Sequence, residues 1–293
     1  MKREVSVLGL GTMGSTIARL FLKSGWQVRV WNRSHKKMEA LVTEGASPAS
    51  NPSEAVRASP ATVVCVSNDE AVRRVADLPG VGEALAARLW IQLTTISPKV
   101  AREQDAWARR HGGRPLFGAI QAAPSQMGQA DTPILLSGGE ADFKEGEPLL
   151  KVLAGRRVYL GGEPAAAATM DLATLSYVYG AAVGFFHGAL IAQSEALDVA
   201  AYGKIVNDIS PSFGAFFQHE GAVIQSGRFE ASESPLRISV DATARLLSTA
   251  RETGLSTEFP AFVSSLFARA DAAGLANEEI AALVKVLGRQ AER

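Results

Sequence analysis

Val5-Ser-Val-Leu-Gly-Leu-Gly-Thr-Met-Gly14, running on into Ser15-Thr-Ile-Ala-Arg-Leu-Phe-Leu-Lys23, is the stretch that decides the fold. Its first residues are apolar and β-branched, as a buried strand requires, and the run after Gly14 has the apolar spacing of a helix. Between them Gly9, Gly11 and Gly14 form a G-x-G-x-x-G. That motif is weak in isolation, but directly after a strand and before a helix it predicts a dinucleotide-binding turn. Gly9 permits the tight turn, Gly11 lets a pyrophosphate approach the backbone, and Gly14 allows the helix to pack closely on the sheet. Gly9, Leu10, Gly11, Thr12, Met13 and Gly14 are the first candidate cofactor residues.

Outward from this turn, short β-type runs alternate with helical or loop segments. Gln27 to Trp31, Thr62 to Val66 and Trp90 to Thr94 read as strands, and Gly118 to Ala122, Ile134 to Ser137 and Arg157 to Leu160 extend the series. The rhythm predicts an α/β fold, with a Rossmann domain over residues 1–162 whose parallel sheet carries helices on both faces. After Pro164 the pattern changes. An unbroken Ala/Leu-rich stretch from Ala165 to about Ala201 predicts one interdomain helix, about 50 Å long at 1.5 Å per residue. It leads an all-α C-terminal domain over residues 163–293. Val240 to Thr253, Phe259 to Ala273 and Glu278 to Gln290 read as further helices, with Gly254 and Gly274 as C-caps.

The second strand ends in Trp31-Asn-Arg-Ser-His-Lys-Lys37. An NAD site usually places Asp or Glu here to hold the ribose hydroxyls, and no carboxylate is present. Asn32, Arg33, Ser34 and Lys37 offer hydrogen-bond donors and positive charge instead, which suits a 2′-phosphate. NADP(H) is the expected cofactor.

Across 293 residues, 30 Lys and Arg balance 30 Asp and Glu. Without a dense basic tract there is no electrostatic footprint for nucleic acid or an anionic membrane, so small-molecule chemistry is expected. Cys65 is the single cysteine and sits in an apolar run, which predicts a free structural thiol and a reduced, cytoplasmic setting. His35, His111, His187 and His219 are too scattered to predict a metal site. Leu172 to Ser194 contains no Asp, Glu, Lys or Arg and is long enough to span a bilayer, but it follows the cofactor domain and lacks flanking Lys/Arg. A helix buried on all sides is expected there. Gly180, Gly184 and Gly188 form a stripe that would admit a partner subunit's helix, so a homodimer is expected.

Taken in order, several stretches resemble the β-hydroxyacid dehydrogenase superfamily and, within it, the imine reductases and reductive aminases. They are the Gly9–Gly14 turn, Trp31-Asn-Arg-Ser34, Gly118-Ala-Ile-Gln-Ala-Ala-Pro124 with Met127-Gly128, Ser137-Gly138, Thr169-Met-Asp-Leu-Ala-Thr-Leu175, and Ala273-Gly-Leu-Ala-Asn-Glu-Glu-Ile-Ala-Ala-Leu283. The resemblance implies NADPH-dependent reduction of an imine to an amine, with cyclic imines or a ketone plus an amine as substrates. Hydroxyacid dehydrogenases carry a Lys early in the interdomain helix; here Asp171 stands, and no Lys or Arg occurs from Leu160 to Ala201. The resemblance makes Asp171 and Tyr179 the catalytic candidates. The exchange makes chemical sense, because an iminium ion enters the reaction positive and favours a nearby anion. Asp171 would anchor that cation, orient it or donate a proton. Tyr179 stands about 80° around the helix axis from Asp171. The same likeness sets Val66, Ser67 and Thr94 beside the cofactor, and Gln92, Gln121, Met127 and Phe213 toward the substrate. Gln92 and Gln121 depart from the family, which often has Asn and an apolar residue there. Tyr177, His187, Phe216 and Phe217 could also approach a pocket but read better as core, and Phe213 carries both readings. Two other functions fit the sequence less well: a hydroxyacid dehydrogenase or carbonyl reductase with another proton donor, and a catalytically silent dimerisation module.

Overall fold

In the computed structural model, which describes residues 3–230 and 235–288, the chain divides into units Met1–Ser176 and Tyr177–Arg293. The first unit alternates β1 (Glu4–Leu8), α1 (Thr12–Lys23), β2 (Gln27–Trp31), α2 (Lys36–Thr43), β3 (Ser47–Pro48), α3 (Pro52–Ala58), β4 (Ala61–Val64), α4 (Asp69–Ala76), α5 (Val81–Ala84), β5 (Leu89–Gln92), α6 (Pro98–Arg110), β6 (Arg114–Ile120), β7 (Pro133–Gly138), α7 (Glu140–Leu153) and β8 (Arg156–Tyr159). One sheet results, in the order β3-β2-β1-β4-β5-β6-β7-β8. The order reverses between β1 and β4, which opens a crevice beyond the carboxyl ends of those strands. Both faces are covered, Val5, Val7, Ile17 and Phe21 lying in one apolar cluster and Leu8, Val56, Val64 and Trp90 in another. Each such side chain contributes about 1.5–3 kcal/mol through burial.

The sheet departs from the expected parallel arrangement at one pair. β7 runs antiparallel to β6, with Ile120 opposite Ile134. The connection between them holds only a 3-10 turn at Pro124–Gln126, so no helix carries the chain back across the sheet and the chain simply reverses. The two-residue β3 is too short to show in any periodicity. Cys65, just past β4, is a free and buried thiol, and burial pushes its pKa up to about 11, which keeps it protonated and inert.

A long helix, α8 (Ala166–Ser194), crosses from the first unit into the second. It stops short of the expected Ala201 because Ala196 turns left-handed at φ 54° and Asp198 caps α9 (Val199–Ser226), accepting from the Ala200 N–H at 2.9 Å. Ala167, Ala168 and Asp171 are its buried residues. Burial on all sides is therefore not met within one chain, and by length and composition alone α8 qualifies to cross a membrane. Its glycine stripe is approached by side chains of the same unit: Gly188 lies against Tyr202 and Gly184 against Phe259, while Gly180 has nothing within 4 Å. The second unit continues with α10 (Leu236–Glu252), α11 (Glu258–Ala272) and α12 (Val284–Leu287). Gly254 and Gly274 follow α10 and α11 in left-handed conformation, at φ 70° and 80°. The helix expected from Glu278 is replaced by a 3-10 turn at Ile280–Leu283 and the short α12; Gln290 lies outside the described residues. Bridges Glu230–Glu278 and Pro235–Glu279 hold this segment extended and so prevent an earlier helical start.

Candidate active site

The crevice between β1 and β4 is a cavity of about 620 Å³, walled by all six residues of the glycine turn together with Asn32, Arg33, Ser34, Lys37, Val66 and Ser67. Gly9 sits at φ 94°, and a Cβ there would strike the Cys65 carbonyl oxygen; one on Gly14 would strike the carbonyl oxygen of Gly9. Gly11 has nothing within 4 Å. Two glycines thus fix the turn and the third leaves room for a ligand. No side chain caps α1 at Gly11, so its first amides are left for an anion.

Asn32 has a local task. Its Oδ1 accepts from the Leu10 N–H at 3.0 Å and its Nδ2 donates to the Ser34 carbonyl at 3.1 Å, tying the end of β2 to the glycine turn. Arg33, Ser34 and Lys37 are exposed on the rim. Arg74 of α4 also lines the cavity, ion-paired with Glu70; nothing in the glycine motif or in the end of β2 points to it. Thr94 is buried and stands behind the wall, its Oγ1 accepting from the Val66 N–H at 2.9 Å. The open glycine turn, free helix amides and basic rim fit a 2′-phosphorylated dinucleotide.

A second cluster gathers around Asp171, which is 4% exposed. Ser137 positions the start of α8, its Oγ donating to the Pro164 carbonyl at 3.0 Å and accepting from the Ala167 N–H at 3.2 Å. One turn later Asp171 Oδ1 accepts from Gln121 Nε2 at 2.7 Å, and Thr174 Oγ1 donates to Gln121 Oε1 at 2.7 Å. Burial raises the Asp171 pKa above its ordinary value, while hydrogen bonds from Gln121 and Thr95 pull it down. Neither Thr174 nor Thr95 is among the candidate site residues named from the sequence, although Thr174 stands three residues along the helix from Asp171, a spacing that brings side chains together. Gln92 is buried with Oε1 accepting from the Thr94 N–H at 2.9 Å, which leaves its Nε2 without an acceptor among the described residues.

Met127 packs into the apolar core of the first unit. Tyr179 and Phe213 belong to the second unit and are 67% and 47% exposed. Tyr177 and Phe217, read as core, are also exposed and meet edge to face at 5.2 Å; an apolar composition does not distinguish a core from an uncovered face. His187 is half-buried against Phe259. His219 meets Glu220 and Glu279, with ligand atoms within 4.8 Å of one another, a gathering that spacing along the chain does not reveal.

Residues 4–161 match the NAD binding domain of 6-phosphogluconate dehydrogenase, and residues 163–289 match the C-terminal domain of NADPH-dependent reductive aminase-like proteins. An NADPH-dependent reductive aminase of Aspergillus oryzae is 29% identical over 290 residues, covering 97% of each chain. The structure of an imine reductase from Myxococcus stipitatus in complex with NADP+ is similar with a TM-score of 0.90 and 30% identity, covering 97% of this chain and 100% of that one. A reductive aminase from Aspergillus terreus, in complex with NADPH4, cyclohexanone and allyl amine, is similar with a TM-score of 0.89 and 29% identity, covering 98% and 100%.

Proposed function

The chain belongs to the imine reductase and reductive aminase family of the β-hydroxyacid dehydrogenase superfamily, and from that premise we propose that it reduces the C=N bond of an imine or iminium ion to an amine with NADPH. Asp171 carries the reading, as a buried carboxylate on which no cationic side chain bears among the described residues. Such a charge is costly to bury unless a positive group joins it. An iminium ion supplies that charge, whereas a ketone oxygen turns negative as hydride arrives and would be repelled. NADPH, when bound, supplies the hydride. The glycine turn and the α1 amides would hold its pyrophosphate, Arg33, Ser34 and Lys37 its 2′-phosphate, and Val66 and Ser67 would close the wall. Gln92 Nε2 offers a ligand one buried donor. In this reading residues 1–162 bind the cofactor, residues 163–293 serve substrate and dimer, and Tyr179 and Phe213 face the substrate. The test is NADPH consumption with a cyclic imine and, in parallel, a small keto acid. Imine turnover with the keto acid at background supports the assignment; turnover of the keto acid alone overturns it.

The exposed apolar side chains of α8 and α9, among them Leu172, Val183, Phe186 and Phe217, belong in this reading to a homodimer interface. Soluble monomers rarely leave so large an apolar face bare, and α8 has no basic residue at either end to favour a bilayer. Light scattering of the detergent-free protein is expected to give twice the chain mass, and Phe186→Glu to shift it toward monomer with loss of turnover. A wild type that is monomeric, or that requires detergent to stay in solution, contradicts the dimer.

A further inference from the structure

Gln121 and Asp171 stand 50 residues apart in sequence and meet through one directional group. The backbone N–H of Gln121 donates to the Pro133 carbonyl at 3.1 Å, which sets the residue at the end of β6. Thr174 Oγ1 lies 2.7 Å from Gln121 Oε1 and 2.9 Å from the Asp171 carbonyl oxygen. A hydroxyl has one proton to give and a glutamine amide has one donating end. With Nε2 on the carboxylate, Oε1 faces Thr174, which donates to it. Reversing the amide would set oxygen against oxygen at Asp171, an arrangement tolerable only if that carboxyl carried a proton, and would turn the Thr174 proton onto the Asp171 carbonyl, the longer of its two contacts.

We propose that the Gln121–Thr174 pair is a positioning device that holds Asp171 in its charged form, so that this chain takes imines already bearing positive charge and Asp171 anchors them without protonating them. The inference rests on Asp171 facing the substrate, as read above. The step balances without a proton from the protein: hydride adds to the iminium carbon, the C=N π pair becomes the nitrogen lone pair, and a neutral amine results. Burial favours the protonated acid and sets the net direction upward, and the amide of Gln121 with the hydroxyl of Thr95 limits that rise. Among the described residues no charged side chain, on α8 or on the elements packed against it, takes part in that balance. Glu163, the nearest acid along the chain, is paired with Arg102 at 2.9 Å.

The test titrates the carboxyl resonance of Asp171 in full-length, 13C-aspartate-labelled protein without substrate, with Asp171→Asn identifying the signal. Gln121→Met is expected to raise the midpoint by about one pH unit or more, a tenfold change in proton affinity for a lost bond to a charged group. Thr174→Val, which removes the orienting hydroxyl and leaves Gln121 in place, is expected to raise it by less. A Gln121→Met midpoint equal to that of wild type overturns the clamp. In parallel, Asp171→Asn is expected to lose turnover of a permanently charged N-methyl cyclic iminium as fully as that of the neutral imine. Loss confined to the neutral imine makes Asp171 a proton donor and overturns the substrate class. Wild-type turnover of both by Asp171→Asn overturns the function reading itself, which the substrate-free titration separates from failure of the clamp alone.

Discussion

Asp171→Asn is expected to lower kcat for imine reduction by about 10²–10³-fold, the ~2.7–4 kcal/mol that one preorganised electrostatic group contributes in a water-excluded site. The same substitution is expected to raise thermal stability at neutral and alkaline pH. Burial raises the Asp171 pKa in the folded protein, so the folded state binds this proton more tightly than the unfolded chain does. The stability that this provides is fully present below the ordinary carboxylate range and is lost as pH rises through the folded-state value. Above that point wild type keeps a buried charge, whereas the variant is neutral at every pH. Asn Oδ1 still accepts from Gln121 Nε2, so the principal polar contact survives the change. Melting temperatures of the two proteins measured from acid to alkaline pH should diverge as pH rises and approach each other in acid. A variant that is less stable at alkaline pH would show that the bonds from Gln121 and Thr95 to the charged form outweigh the burial of that charge. Opposite signs for activity and stability at one residue are expected where a site tolerates strain for the sake of its chemistry.

Legibility in the sequence followed how local each constraint is. The glycine turn could be read because its requirements are steric and contiguous: Gly9 at φ 94° has no room for a side chain. The basic rim was legible for the same reason, since Arg33 and Lys37 follow directly on β2. The end of α8 was not, because the residue that turns left-handed is Ala196, with neither Gly nor Pro to mark it. Residues 278 and 279 have the local preference of a helix start, and long-range β-bridges to Glu230 and Pro235 override that preference. Gln121 was visible as a departure from its family, yet the sequence pointed its amide toward substrate. Its partner is Asp171, reached only because β6 and the start of α8 meet in the fold. The aromatic residues of α8 and α9 show a further limit, since apolar composition reports a need for cover without saying whether the same chain provides it.

Arg33→Ala is expected to weaken NADPH binding by about 10–100-fold, which corresponds to the ~1.5–3 kcal/mol of a hydrogen bond to a charged group, and to leave NADH binding within about twofold. Arg33 sits on the cavity rim beside Ser34, with Lys37 in the first turn of α2 lining the same cavity. A guanidinium offers a planar set of donors that matches a phosphate with two parallel bonds, which the single ammonium of Lys37 does not. Arg74 lines the same cavity but is already ion-paired with Glu70, so Arg74→Ala should have the smaller effect. Because the rim is exposed, added salt should weaken NADPH binding to wild type more than to Arg33→Ala. Calorimetric titration with both nucleotides at two ionic strengths distinguishes the possibilities. Equal losses for NADPH and NADH would assign Arg33 to the part of the nucleotide they share and leave Lys37 or Arg74 to hold the 2′-phosphate. A loss confined to NADPH makes the absence of a carboxylate after β2, together with the cation that replaces it, the determinant of cofactor choice.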